Sequence, residues 1–201
     1  MIDTKKVGRP KKFKRELALK AALHVFWVKG YEGASMKDLT LAMGINGPSL
    51  YAEFGDKLSL YKETIDSYTT NDGCAPMVAF ESEPDIEQAV REFMNAVIDY
   101  ATLQESGARG CYLSSCVATN AIEIDGIDKR LKNAISDTDN RIESRFDVER
   151  AKGVLPNNFP SLQRARLMFD LRQGHVFRAR SGCSAASMKE DLDFHVDLIL
   201  K

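Results

Sequence analysis

The sequence holds few of the residues from which catalytic and metal centres are built. Its three histidines (His24, His175, His195) fall in separate, mainly apolar stretches. Four cysteines (Cys74, Cys111, Cys116, Cys183) are scattered without a CxxC pair, which fits free thiols better than a disulfide framework. There is no HExxH, no GxSxG, no P-loop and no GxGxxG that opens a helix after a strand. With no clustered acid, base or nucleophile, an enzyme is argued against, and neither a metal site nor a cofactor is expected. No apolar run approaches the roughly 20 residues of a membrane span. The basic start, MIDTKKVGRPKKFKRE, has no apolar segment behind it, so it does not read as a signal peptide and a cytoplasmic location is expected. No stretch alternates with a period of two, and no Asn-Gly turn joins apolar strands. The expected fold class is all-α.

What the chain does contain is a globular balance, 201 residues with 44% apolar and 28% charged, enough for a sizeable core. The net charge of −1 conceals an asymmetry. Residues 1–62 carry 12 Lys or Arg against 6 Asp or Glu, a net +6, and the remainder carries 16 against 23, a net −7. A basic first third beside an acidic body suggests an end that meets a polyanion. A helical protein-binding adaptor would have no need of it.

Within that basic third, Ser35 to Phe54 (SMKDLTLAMGINGPSLYAEF) reads as two short helices around a tight turn. Ser35 and Asp38 have the spacing of a capping box, and Leu39, Ala42 and Met43 recur on one face. Gly44 suits the positive φ that often follows a helix C-terminus. Asn46 caps the second helix, with Gly47 and Pro48 in its first turn, where a missing N–H costs nothing. The N-terminal part of that helix, with Gly47, Ser49 and Tyr51, is the part a helix-turn-helix protein sets against base edges. Before it, Lys5, Lys6, Arg9 and Lys11 form a flexible basic arm, residues 1–11, suited to phosphates or a narrow minor groove. A helix from about Lys12 to Lys29 follows the arm and stops at Gly30. After the motif, Asp56 caps a helix running to about Thr70, and Lys57 stands in its first turn beside free amides that suit a phosphate.

The run GRPKK, then ALHVFWVKGYEGASMKDLTLAMGINGPSLYAEFGDKLSLYKETI, resembles the DNA-binding domain of the TetR family of bacterial transcriptional regulators over about residues 9–68. That resemblance implies a homodimer in which a three-helix head (residues 12–70, motif 35–54) reads double-stranded operator DNA. It also implies a larger helical body (71–201) that binds a small-molecule effector and dimerises through the last two helices. Most such proteins are repressors. By position, Ser35 and Lys57 match phosphate-contacting residues, and Gly47, Pro48, Ser49 and Tyr51 match the recognition helix. Met36, Lys37 and Asn46 complete the expected DNA-facing set. Gly47 departs from the larger, often basic residues common at its position.

Beyond Thr70 only periodicity speaks. Residues 71–84 read as a linker with a short helical turn near Met77–Phe80. Asp85 caps a long helix whose stripe includes Ile86, Ala89, Val90, Phe93, Met94, Val97 and Ala101. Cys111 to Ile124 reads as a largely buried helix, and Ile127 to about Gly153 as another. Two more are expected, about Ser161–Ser181 and Ala185–Leu200. Inward polar and aromatic residues are the candidates for an effector pocket: Tyr68, Phe93, Met94, Tyr112, Cys116, Asn120, His175 and Phe177. Cys111 and Cys116 lie about 140° apart around a regular helix, a poor arrangement for one ion. They leave a metal- or redox-responsive regulator of the same fold as the alternative.

Overall fold

The computed structural model describes residues 15–71, 75–102 and 110–201. Within them the chain is helical, with no strand. The basic arm (Lys5, Lys6, Arg9, Lys11) and Cys74 lie outside the described residues.

Three helices, one long and two short, make the N-terminal unit. Helix α1 (Arg15–Gly33) buries Ala18, Leu19, Ala22, Leu23 and Phe26 and breaks at Gly30, whose φ of 72° only a residue without Cβ adopts at ease. Helix α2 (Met36–Met43) starts at the expected capping box. The Ser35 hydroxyl accepts from the Asp38 amide (3.1 Å), and the Asp38 carboxylate accepts from the Ser35 amide (3.1 Å). It ends at Gly44 (φ 65°), where the Ile45 amide reaches back to the Thr40 carbonyl (3.1 Å), a Schellman closure. Helix α3 (Gly47–Phe54) turns Leu50 and Phe54 into the core that α1 and α2 line. Arg15 fastens the unit from outside: its guanidinium pairs with Glu63, donates to the Glu53 carbonyl (3.2 Å) and lies 4.5 Å from the Phe54 ring centre.

Helix α4 (Lys57–Thr70) runs from this unit into the body, burying Leu60, Tyr61, Thr64, Ile65 and Tyr68. The linker expected after it holds more structure than its glycine and prolines suggest. Helix α5 (Ala75–Ser82) puts Pro76 in its first turn and buries Met77 and Phe80. Asp85 does cap α6 (Ile86–Thr102), accepting from the Gln88 amide (2.9 Å). Helices α7 (Ile127–Ala151) and α8 (Ser161–Arg180) follow at the expected places. Phe80, Phe93, Phe146 and Phe159 meet edge to face in the body core, with ring centres 5.4 to 6.1 Å apart. Arg145 locks α5 onto α7 by donating to the Glu83 (2.7 Å) and Pro84 (2.8 Å) carbonyls while paired with the buried Glu149 (3.0 Å).

Two expectations are corrected. Cys111–Ile124 is not a continuous helix: it is a π-helical turn, Leu113–Val117, followed by irregular turns that leave Asn120 half-buried and Ile122 94% exposed. Its Ser and Thr hydroxyls compete with the backbone ladder, since Ser115 donates to the Cys111 carbonyl and Thr119 to the Cys116 carbonyl (2.6 Å). The final helix is likewise two, α9 (Ala185–Lys189) and α10 (Leu192–Leu200), broken at Asp191. The break lets both pieces pack on α6, with Lys189 on Asp99 (2.7 Å) and Asp193 on Arg91.

Candidate nucleic-acid interface and the cavity behind it

The outward side of α3 carries the residues the sequence singled out. Pro48 and Tyr51 are exposed, Gly47 and Ser49 half-buried, and Tyr51 (57% exposed) lies one turn along from Gly47 and Pro48, away from the buried Leu50 and Phe54. Asn46 is spent on the cap, accepting from the Ser49 amide (2.9 Å). A Cβ built on Gly47 meets nothing within 4 Å, so the bare position is a gap in the surface, not a packing need. Ser35 and Lys37 are exposed beside it on α2, and Met36 is half-buried.

Two phosphate-binding assignments take on detail that spacing cannot supply. The Ser35 hydroxyl already donates to the Asp38 carboxylate (2.7 Å), and Lys29 pairs with the same carboxylate (2.6 Å). These contacts, Lys29 first and then Ser35, hold the Asp38 carboxyl well below the usual carboxylate range. A phosphate at Ser35 would have to compete with Asp38 for that proton. At the start of α4, the Asp56 carboxylate takes the Ser59 amide (2.7 Å), leaving fewer free donors for an anion there. Lys57 is half-buried, its ammonium 4.4 Å from the Tyr31 ring centre, with no ion pair among the described residues.

Behind this head, α4, α7, α8, the π-helical turn and Met77 of α5 line an open cavity of about 1120 Å³. Of the pocket residues expected from sequence, Tyr68 and Phe177 stand in its wall. Phe93, Met94, Tyr112, Cys116, Asn120 and His175 do not. Phe93 and Met94 sit on the α6 face buried within the body core. Tyr112 and Cys116 turn to the head, Tyr112 hydroxyl to Thr64 (3.0 Å) and Cys116 thiol to the Phe26 carbonyl (3.1 Å). Asn120 follows the break in the helix. His175 is rotated by roughly 130° from the cavity-facing stripe of α8 and meets the His195 ring instead (5.2 Å). Among the described residues no hydrogen-bond partner serves either His175 nitrogen, and burial first, then the neighbouring His195, pushes its pKa down to about 4. What sequence reasoning missed is the arginine content of the wall: Arg130, Arg141, Arg172 and Arg180 all line it. The signal was the i, i+8 spacing of Arg172 and Arg180 on α8 beside Phe169, Val176 and Phe177.

The two buried thiols differ. Burial pushes the Cys116 thiol up. At Cys111 burial acts the same way, but the Arg172 guanidinium (3.6 Å), the Tyr68 hydroxyl (3.4 Å) and the amides of Leu113 and Ser114 outweigh it and leave the thiol below its ordinary value. The two sulfurs have separate partners, Cys111 at Tyr68 and Arg172, Cys116 at Tyr61 and the Phe26 carbonyl. Among the described residues no group of three His, Cys, Asp or Glu side chains is placed to hold a metal ion. No described helix is long and apolar enough to cross a membrane.

Two capped helices around a left-handed glycine, with an exposed second helix, have the form of a helix-turn-helix, a motif that DNA-binding proteins use. Residues 18–64 match the model of the bacterial regulatory proteins of the tetR family. The HTH-type transcriptional repressor ComR of Escherichia coli (strain K12) is 28% identical over 184 residues, covering 91% of this chain and 87% of that protein. The uncharacterized HTH-type transcriptional regulator YezE of Bacillus subtilis (strain 168) is 30% identical over 140 residues, 70% of each. Among solved structures, the TetR family regulator CifR, as a cysteine mutant complexed with 26bp double-strand operator DNA, superposes with a TM-score of 0.84 at 27% identity, covering 94% of this chain and 98% of that one. The chain belongs to the TetR family: it is a DNA-binding transcriptional regulator and not an enzyme.

Proposed function

We propose that this protein is a homodimeric, cytoplasmic repressor that leaves its operator when a small molecule enters the cavity behind the head. The observation that carries the reading is the π-helical turn. Leu113, Ser114 and Ser115 stand in the cavity wall, while Ser115 accepts from the Trp27 indole N–H (3.1 Å) and Cys116 donates to the Phe26 carbonyl (3.1 Å), both on α1 of the head. Helix α4 makes the same connection, with Lys57 at the DNA end and Ile65, Asp66 and Tyr68 at the cavity. A ligand that prefers one setting of α4 and this turn shifts the head toward that setting. On this reading the head comprises residues 12–70 and the body 71–201.

Dimerisation through α8 and α10 is supported by apolar side chains left exposed on α10, Phe194 (68% exposed) and Leu198 (40% exposed). Two recognition helices related by that axis would enter successive major grooves of a palindromic operator, with Ser35, Met36, Lys37, Asn46, Gly47, Pro48, Ser49, Tyr51 and Lys57 facing DNA. The basic arm, Lys5 to Lys11, would follow the adjacent groove. Genome-wide footprinting with the neighbouring genes' transcript levels is the test. Two-fold symmetric sites whose genes rise when the protein is deleted are expected; asymmetric sites, or genes that fall, would sink the reading.

The donors converging on Cys111 favour a second reading, release by oxidation of that thiol or by a metal ion bound to it. Titrating the operator complex with copper or a mild oxidant tests it, and a complex that behaves identically with and without Cys111→Ser removes it.

A further inference from the structure

The side of α8 that faces the cavity repeats Phe169, Arg172, Gln173, Val176, Phe177 and Arg180, a stripe of i, i+3, i+4, i+7, i+8 and i+11. Its two arginines differ from the other two in the wall. Arg130 is paired with Asp66 (3.1 Å) and Arg141 with Glu81 (2.6 Å). Arg172 and Arg180 have no carboxylate within 4 Å among the described residues. Arg172 is half-buried, its guanidinium 5.5 Å from the Phe169 ring centre and one nitrogen 3.6 Å from the Cys111 sulfur. A neutral thiol is a poor acceptor for a guanidinium, which presents a planar fork matched to a carboxylate. The neighbouring Gln173 also has a buried carbonyl oxygen without a partner among the described residues. Around this polar group the wall is apolar, with Met77, Leu113, Leu131, Val176 and Phe177.

We propose that the effector is an organic carboxylate, its head held by the Arg172 fork and its apolar body lodged against Leu113, Val176 and Phe177. The proposal rests on the reading of this cavity as the effector site. A half-buried guanidinium without an anion lacks its best partner, and a carboxylate supplies two parallel charge-assisted hydrogen bonds in that place. The volume accommodates a body of aromatic or medium-chain acyl size with room to spare. The Arg172 contact also gives the carboxylate a route to the head. An anion that takes Arg172 draws it from Cys111, which lies two residues before the π-helical turn and is held by Tyr68 of α4.

The test is binding of matched pairs, each carboxylate beside its primary amide (benzoate and benzamide, phenylacetate and phenylacetamide, octanoate and octanamide, and a few hundred more), to the full chain by thermal shift and calorimetry. Carboxylates are expected to bind and amides to bind at least tenfold more weakly. Arg172→Gln should remove that preference and Arg172→Lys, which keeps the charge without the fork, should restore part of it. A bound carboxylate should also slow alkylation of the Cys111 thiol, since it competes for Arg172; Arg172→Gln alone should slow it too. Equal binding of both members of each pair, or no carboxylate bound at all, overturns the proposal while leaving the cavity open to other ligands. Carboxylate binding that survives unweakened in Leu113→Trp/Ala134→Trp, which narrows the cavity from two walls and whose folding is checked by its melting curve, instead overturns the cavity reading itself.

Discussion

Tyr51→Ala separates the DNA-reading role proposed for α3 from its structural role. The ring is 57% exposed and stands away from Leu50 and Phe54, which fasten the helix to the core. Less than half of its surface is therefore lost from a buried environment, worth about 1 kcal/mol. Alanine returns about 0.5 kcal/mol through its higher helix propensity. The net change in stability is expected to be below about 1 kcal/mol, a shift of a few degrees at most in Tm. Losing a base-edge contact costs about 1 to 3 kcal/mol, or roughly 5- to 150-fold in Kd. The operator is obtained by selection from random duplexes, and affinity is read by fluorescence anisotropy across a salt series alongside a melting curve. Lys57→Ala provides the contrast: it should weaken binding to every sequence and reduce the salt slope by about one unit, as a phosphate contact does. Wild-type affinity and sequence preference in Tyr51→Ala, with the melt unchanged, would refute the assignment of α3 as the reading helix.

Gly47→Arg should fold normally, because a Cβ there meets nothing within 4 Å, and should steepen the salt dependence of DNA binding by about one unit; an unaltered slope and affinity would mean that this end of α3 does not approach DNA. Acid should destabilise the fold through His175. Its folded pKa is pushed down to about 4 from the ordinary 6.5, mainly by burial and by His195 and Arg178 against the opposing Asp191. The unfolded chain therefore takes the proton first, so its contribution is complete above about pH 6.5 and declines as pH falls toward 4, by up to about 3 kcal/mol. Chemical denaturation of wild type and His175→Leu across that window checks this, and parallel pH profiles would rule it out. If the proposed dimer forms through α10, Phe194→Asp together with Leu198→Asp should give a monomer in light scattering without unfolding it where the wild type gives a dimer; a dimer that persists would place the interface elsewhere.

The head was legible because its elements are local. A capping box needs only Ser35 and Asp38 three residues apart, and Gly44 at a helix end is set by backbone sterics, not by distant packing. The tilt of Arg15 onto Glu63, or the withdrawal of the Ser35 proton by Asp38, depends on where separate helices come to rest, so neither was readable. The all-α class and the long stripes of α6 and α7 also follow from periodicity alone, since one face must be buried whichever neighbour buries it.

The body cavity was another matter. Periodicity says that Phe93, Met94 and His175 face inward, but not whether inward means close packing, a partner helix or a void. The turn at Leu113–Val117 decided much of this. Its hydroxyls take backbone carbonyls, the helix expected over Cys111–Ile124 breaks, and Tyr112 and Cys116 rotate toward α4 and α1. The sequence by itself determined the class of fold, the reading head and its caps, because these rest on interactions within a few residues. Only the tertiary packing of α4, α7 and α8 decided that a space remains between them and that Arg172 stands in its wall beside Cys111, because a cavity is a property of how several helices fail to meet.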